Sequence, residues 1–441
     1  MRMIGFLAAA LVAQAPVAFG QSAPQPSPQQ HPSQPATSAA ARPVASPPKP
    51  AASTPESRSA AALALTDEPI FDEGTADRIR QAALSYSDIA VRGGWPVIPP
   101  DAKFALGALG PHDELLRQRL IVSGDLEAAA TGAAFDDALA GAVKRFQSRH
   151  GLAPTGTVTP RTIAALNVPV HKRIQQLEAS LERLANLPFG FGPRYVVVNI
   201  PATYAEAVEN DKVVRRYRVI VGKTEKPSPT LTAEITEVNL NPTWTVPQSI
   251  VKNEIAAHMR KDPSYLGRMH MQLVDAHDGA LDPHAIDWSA THGGNFTVRQ
   301  DSGAWNALGS VRIDMPNSYS VYMHDTNQKS LFADDYRFDS HGCTRVDNVR
   351  DLAAWLLRDL PRWSRSEIDL VIASGQREDI HLPKKVPVAW IYLTGWMTRD
   401  QTVQFRNDVY DQDAQLLEAT AEEAAFFNQA AGHGMAPHKT D

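Results

Sequence analysis

The sequence predicts an α+β protein, with a helical N-terminal part followed by a β-rich part. Three observations support this. Apolar residues recur at helical spacing from His112 to Leu166, whereas after Pro193 they fall into short continuous or alternating runs. The chain has 441 residues, 43% of them apolar, which is enough for two or three domains with real cores.

Residues 1–20 read as a cleavable export signal. Arg2 supplies a minimal positive start, Ile4 to Val12 an apolar run, and Ala18-Phe19-Gly20 a small-x-small cleavage pattern ahead of Gln21. The run is too short to span a bilayer, so the expected location is the periplasm, with no transmembrane span after cleavage. Residues 21–66 are dominated by Pro, Ala, Ser and Gln and read as a disordered tether.

A scaffold segment, 67–111, begins with a helix over Ala76–Tyr86 and the turn Arg92-Gly93-Gly94-Trp95-Pro96. A three-helix module follows at 112–168. Leu116 and Leu120 mark its first helix. Phe135, Leu139, Ala142, Val143 and Phe146 form one stripe, stopped at His150-Gly151. Thr159-Pro160 opens the third helix, with Ile163 and Leu166 inside it. The linker, 169–193, is a helix from Val170 to Leu187 carrying Ile174, Leu177, Leu181 and Leu184.

The β-rich part spans 194–375. Tyr195–Ile200 is nearly continuous apolar, as a strand covered on both faces would be. Strands are expected at Lys212–Val221, Ile235–Leu240, Phe296–Arg299, Val311–Met315, Ser320–His324, Ile368–Ile372 and Ala389–Leu393. Over 253–295 the periodicity fails, and this stretch reads as an irregular, mobile cap inserted in the β domain. Asn348 caps a helix with Leu352, Leu356 and Leu360. The extension 376–441 ends in a polar, alanine-rich tail expected to fray.

A net charge of -6 and a pI near 6.2 exclude the basic face that a nucleic-acid partner requires. His270, His277, His284 and His292 fit no compact ligand spacing, so neither metal nor cofactor is expected. The sequence has a single cysteine. In an exported chain, an odd thiol is either reactive or a small buried apolar group.

That thiol, Cys343, lies in Ser340-His341-Gly342-Cys343-Thr344-Arg345, after Tyr322-Met323-His324-Asp325-Thr326. A thiol attacks well as thiolate, and neighbouring cations or backbone N–H groups lower its pKa. His324, at a strand end, is the candidate base. His341 is a rival, but a residue two before the cysteine points elsewhere along an extended turn. Gly342 lets the backbone approach a substrate carbonyl, so N–H groups at Gly342 and Cys343 could form an oxyanion hole. Arg345 offers a fixed charge to the thiol or to a substrate carboxylate. The alternative class is a non-catalytic binding scaffold in which the helical module carries the function.

His324 with Ser340-His341-Gly342-Cys343-x-Arg345 resembles the signature of YkuD-type L,D-transpeptidases. Arg299-Gln300, Asn306-Ala307-Leu308-Gly309, the Val321–Thr326 run and Tyr392-Leu393-Thr394 are similar to the YcbB-like branch. Phe146-Gln147, His150-Gly151-Leu152 and Leu166-Asn167 resemble a peptidoglycan-binding domain. Asp301-Ser302-Gly303 and Thr344 depart from the branch's usual residues. The resemblance implies a sandwich-like catalytic domain, Cys343 as nucleophile and His324 as general base, with Tyr322, Ser340, Gly342, His341 and Arg345 shaping the substrate cleft. It implies peptidoglycan stem peptides as partners, a donor tetrapeptide that loses D-Ala, and a 3→3 crosslink. Water as acceptor would make the enzyme an L,D-carboxypeptidase.

Overall fold

The computed structural model describes residues 67–129, 132–289 and 296–432, with side chains as far as Glu422. The export signal and tether read at 1–66 lie outside the described residues. No described helix is long and apolar enough to cross a membrane.

Five helices precede the sheet: α1 Thr75–Val91, α2 Asp113–Val122, α3 Asp137–Arg149, α4 Pro160–Leu166 and α5 Val170–Ala185. Helices α2 to α4 close around Leu116, Leu120, Leu139, Val143, Phe146, Ile163 and Leu166, joined by Ile98 and Phe135. Local chemistry sets their ends. The Asp136 carboxylate accepts the Leu139 N–H, Thr159 accepts that of Thr162, and Pro160 takes the first helical position.

The end of α3 is buried against the rest of the protein. Arg149 forms a two-pronged pair with Asp125 (2.7 and 2.6 Å) and donates to the Tyr86 hydroxyl at 3.2 Å. His150 stacks on Phe146 (3.9 Å between centroids) and lies 5.6 Å from the Phe405 ring. The module is thus docked rather than tethered, and its buried contacts run directly into the scaffold.

The strands are β1 Arg194–Asn199, β2 Tyr204–Glu209, β3 Lys212–Gly222, β4 Leu231–Leu240, β5 Trp244–Thr245, β6 Met271–Val274, β7 Thr297–Gln300, β8 Val311–Asp314, β9 Met323–His324, β10 Phe338–Ser340, β11 Thr344–Val346, β12 Glu378–Ile391, β13 Gly395–Met397 and β14 Val403–Phe405. Nine form the main sheet in the order β10-β3-β11-β9-β8-β4-β12-β1-β2, and β2 also pairs with β3. That last pairing brings the sheet round on itself, so two β layers face one another across a single core, the sandwich-like form expected. Val196, Val198, Ile235, Val238, Val311, Ile313, Met323, Val388 and Trp390 point into it. The alternate residues of β1, Tyr195 and Val197, face out beneath α1 and α5 with Leu177, Ala389 and Ile391. Both faces of β1 are therefore covered, which explains its unbroken apolar run.

Four expectations need correction. Ile368–Ile372 is not a strand but lies in a helix spanning Arg365–Ser374, which follows the helix Val349–Leu357. The Ser364 hydroxyl accepts the Glu367 N–H and Gly375 ends it at φ +72°, a cap pair that overrides the β-like run Ile-Asp-Leu-Val-Ile. The strand Tyr204–Glu209 was not foreseen, and the strand expected over Ser320–His324 shortens to β9. The C-terminal tail continues as a hairpin, β13–β14, and a helix over Asp413–Gly432.

The fourth concerns the insertion. Rather than failing in periodicity over 253–295, the chain from Trp244 to Gln300 builds its own unit. A three-stranded sheet, β5-β7-β6, packs with helical turns at Gln248–Ile250, Val251–Ile255 and Ala256–Lys261. Val246, Val251, Ile255, Met259, Leu273, Trp288, Phe296 and Val298 fill its core. Trp288 is buried there, with its indole N–H on the Pro283 carbonyl.

Candidate active site

Strands β9 and β11 run parallel and adjacent, Thr344 opposite Met323 and Arg345 opposite His324. Met323 and Thr344 turn inward and are fully buried. The pleat therefore sends Tyr322, His324, Cys343 and Arg345 to the outer face together. Rings of Tyr322 and His324 meet edge to face at 5.6 Å, and the Arg312 guanidinium lies 4.6 Å over the Tyr322 ring. The alternation in β8, Val-Arg-Ile-Asp, is the sequence signal by which Arg312 could have been found, because it places Arg312 on that face.

The turn holding Cys343 is tightly braced. Gly342 sits at φ +109°, which favours glycine. The Ser228 hydroxyl donates to the Gly342 carbonyl at 2.7 Å and accepts the Gly222 N–H at 2.9 Å. Tyr410, from beyond the sheet, donates its hydroxyl to the Gly222 carbonyl at 2.5 Å. Replacing Gly342 by Ala forces a side chain into this backbone region, at a cost of about 1–3 kcal/mol. We expect a lowered thermal midpoint and slower thiol acylation, measured together. An unchanged midpoint would show that the turn relaxes freely.

Two expected roles change. Ser340, 2% exposed, donates to the Cys343 carbonyl at 2.5 Å and accepts the Gly342 N–H at 3.2 Å. It braces the turn from inside rather than lining a cleft. The Gly342 N–H is thereby engaged, which leaves the Cys343 N–H as the candidate oxyanion donor. His341 turns to the insertion, its Nε2 2.6 Å from Glu254 Oε1. Arg345 donates to Gln328 at 3.2 Å and to the Asp339 carbonyl at 3.4 Å.

His324 is 6% exposed, and its strand end is fixed by Asp325, whose carboxylate accepts the Ser310 N–H and hydroxyl at 2.9 and 2.8 Å. Burial, then the Arg345 charge, drives the imidazole down to about 3. Burial pushes the Cys343 thiol up to about 11, against the opposing effects of hydrogen bonding from Tyr322 and the charges of Arg312 and Arg345. Arg345 does pull the thiol down, as expected, but desolvation outweighs both cations, which leaves thiol and imidazole in their neutral forms.

The motif residues outside this turn prove to be braces. Gln300 donates to the Met269 carbonyl at 3.0 Å and accepts the Ala307 N–H at 2.9 Å. Asn306 donates to the Pro242 and Asp301 carbonyls. They tie the insertion to the loop that carries Ser310.

Residues 193–376 match the YkuD model, described as an L,D-transpeptidase catalytic domain, and residues 110–166 match a "Putative peptidoglycan binding domain". Among individual proteins, the chain is similar to a "Putative L,D-transpeptidase" of Haemophilus influenzae, 30% identical over 244 residues, 55% of this chain and 49% of that one. It therefore spans about half the length of the curated relative that it matches. Solved structures with partial likeness include an L,D-transpeptidase from Mycobacterium smegmatis (16% identity, 45% of this chain and 58% of that one, TM-score 0.22). Another is the L,D-transpeptidase of Stackebrandtia nassauensis (11% identity, 67% and 97%, TM-score 0.25).

Proposed function

We propose that this protein is an exported, periplasmic L,D-transpeptidase that forms 3→3 peptidoglycan crosslinks through a Cys343 thioester, with the helical module engaging the wall. The observation that carries the reading is that Cys343, in the turn immediately before β11, precedes a strand paired with the one that ends in His324, within a region that matches a transpeptidase domain. His324 takes the thiol proton as sulfur attacks the carbonyl of the donor's third residue. The C–N bond to D-Ala then breaks, and His324 returns the proton to the leaving amine. An acceptor amine attacks the thioester, its proton passes to His324, and the C–S bond breaks to restore the thiol.

The test is product analysis with purified protein and disaccharide-tetrapeptide. We expect 3→3 dimers as a major product beside some tripeptide. Tripeptide alone at high acceptor concentration, with D-Ala fully accounted for, would make hydrolysis the activity.

A neutral resting pair has a distinctive pH signature. With the imidazole near 3 and the thiol near 11, the reactive form predominates between those values. Acylation should hold within about twofold from roughly pH 5 to 9, falling only as His324 protonates or Cys343 ionises. A rate that climbs tenfold per pH unit across that range would instead indicate attack by the rare thiolate without base assistance.

A further inference from the structure

All eight tryptophans lie among the described residues, and seven of them are buried or half-buried. The exception is Trp305, in the loop between β7 and β8, which is 40% exposed. The imidazole of His270, itself exposed, stacks on its ring, with 3.7 Å between centroids and 16° between planes. The backbone is committed to this pair at two points. His270 sits at φ +51°, a left-handed conformation that is costly for any residue but glycine. Gly303 sits at φ +147°, and a Cβ there would lie 2.5 Å from the Trp305 ring. The Asp301 N–H donates to the His270 carbonyl at 3.0 Å, which fixes the two segments side by side. Both rings nevertheless stay at the surface, so the strain serves an outward-facing apolar feature rather than the core.

The stack is tied to the chain that carries the base. The Trp305 carbonyl accepts the side-chain amides of Gln300 at 3.3 Å and Asn327 at 2.9 Å. Asn327 is three residues past His324, no more than about 11 Å away along an extended chain. Its neighbour Gln328 accepts from Arg345 at 3.2 Å, so hydrogen bonds run from the Cys343 turn to the rings. The charged groups nearby are matched within the protein. Arg299 pairs with Asp278 at 3.0 Å, and the Gln272 amide donates to both oxygens of Asp301, at 3.2 and 3.0 Å. An exposed π surface bordered by neutralised charges and planar polar groups suits an uncharged ligand with an apolar C–H face and a polar rim. A pyranose ring has this form. Its polarised C–H bonds meet the electron-rich ring face, and its hydroxyl and amide groups reach side chains such as Gln272 and Asp301.

On the acyl-transfer reading of Cys343, a donor peptide in the wall reaches the thiol while still attached to its sugar strand. We infer that His270 and Trp305 form a platform on which a sugar ring of that strand stacks, so that the protein favours strand-borne donors over free peptides. The platform lies outside the helical module, and it adds a sugar contact on the catalytic side of the molecule.

The test compares two donors on the full chain: tetrapeptide carried on a soluble tetrasaccharide of the glycan, and the same tetrapeptide free. D-Ala release gives kcat/KM for each, and the free peptide reports acyl transfer by itself. The wild-type protein should favour the saccharide-borne donor several-fold, up to about tenfold, the scale of an aromatic stack. In Trp305→Ala the ratio between the two donors should fall towards one, while Trp305→Phe should recover part of it. Should Trp305→Ala not fold, His270→Gly removes the other ring at a backbone angle that glycine tolerates, and the same fall is expected. Equal release from both donors by the wild type would overturn the platform while leaving acyl transfer intact. So would a ratio unchanged in the folded variant, even with both rates lowered, because the stack would then only brace the His324 segment. No release from either donor would overturn both the platform and the acyl-transfer reading.

Discussion

Cys343→Ala should release no D-Ala from tetrapeptide and form no covalent adduct by intact mass, because it removes the chain's single thiol. The fold should survive, since the thiol is half-buried at the edge of the core and the turn is held by Ser340, Ser228 and Gly342 rather than by sulfur. His324→Ala keeps the nucleophile but removes the group placed to take its proton. Loss of general-base assistance is worth about 10²–10⁴-fold. With the thiol pushed up to about 11, little thiolate exists at neutral pH to compensate, so the upper part of that range is expected. Residual D-Ala release by Cys343→Ala would sink the mechanism. A His324→Ala variant within a few-fold of wild type would move the base elsewhere, with His341 the first candidate.

The largest effect on stability is expected far from the thiol. Asp125, 4% exposed, holds the buried Arg149 guanidinium, and Arg119 and Arg173 lie close enough to feel the same charges. Burial alone would loosen Arg149's proton, but Asp125 more than restores it. Asp125→Ala strands these cations without their counterion, and breaking a buried pair this way costs about 3–5 kcal/mol. A urea midpoint measured by far-ultraviolet circular dichroism reads this directly. Replacing both partners with apolar residues should recover much of the loss, because no uncompensated charge remains. If Asp125→Ala unfolds at the wild-type midpoint, water must reach the cluster.

The Cys343 turn was legible as a candidate because its signals are local: one cysteine, a preceding glycine, and a histidine ending a strand. The helices around Leu116, Phe146 and Leu166 were legible from their periodicity. What escaped depended on partners distant in the chain. Tyr204–Glu209, with two alanines and two glutamates, has little strand character of its own and is fixed between β1 and β3. The insertion looked polar because its core is assembled from residues as separate as Val246 and Val298. The alternation in β8 signals the face Arg312 takes, but its place opposite His324 is set by the register between strands. The roles of Ser340 and the Gly342 N–H depended on turn geometry, and the raised thiol on desolvation.

The place of β12 has a consequence for how the chain reaches its native state. This strand lies beyond the matched catalytic region, yet it sits between β4 and β1, and Val388 pairs with Val196. A sheet whose middle strand arrives last must close a very long loop before its core can form, and such non-local pairing slows folding. A nascent or translocating chain cut short near residue 376 would expose the unpaired flanks of β1 and β4, two apolar edges prone to pair with other chains. Expression trials that trim the protein at the matched boundary should therefore give aggregates, whereas boundaries set beyond Asp413 keep the sheet whole.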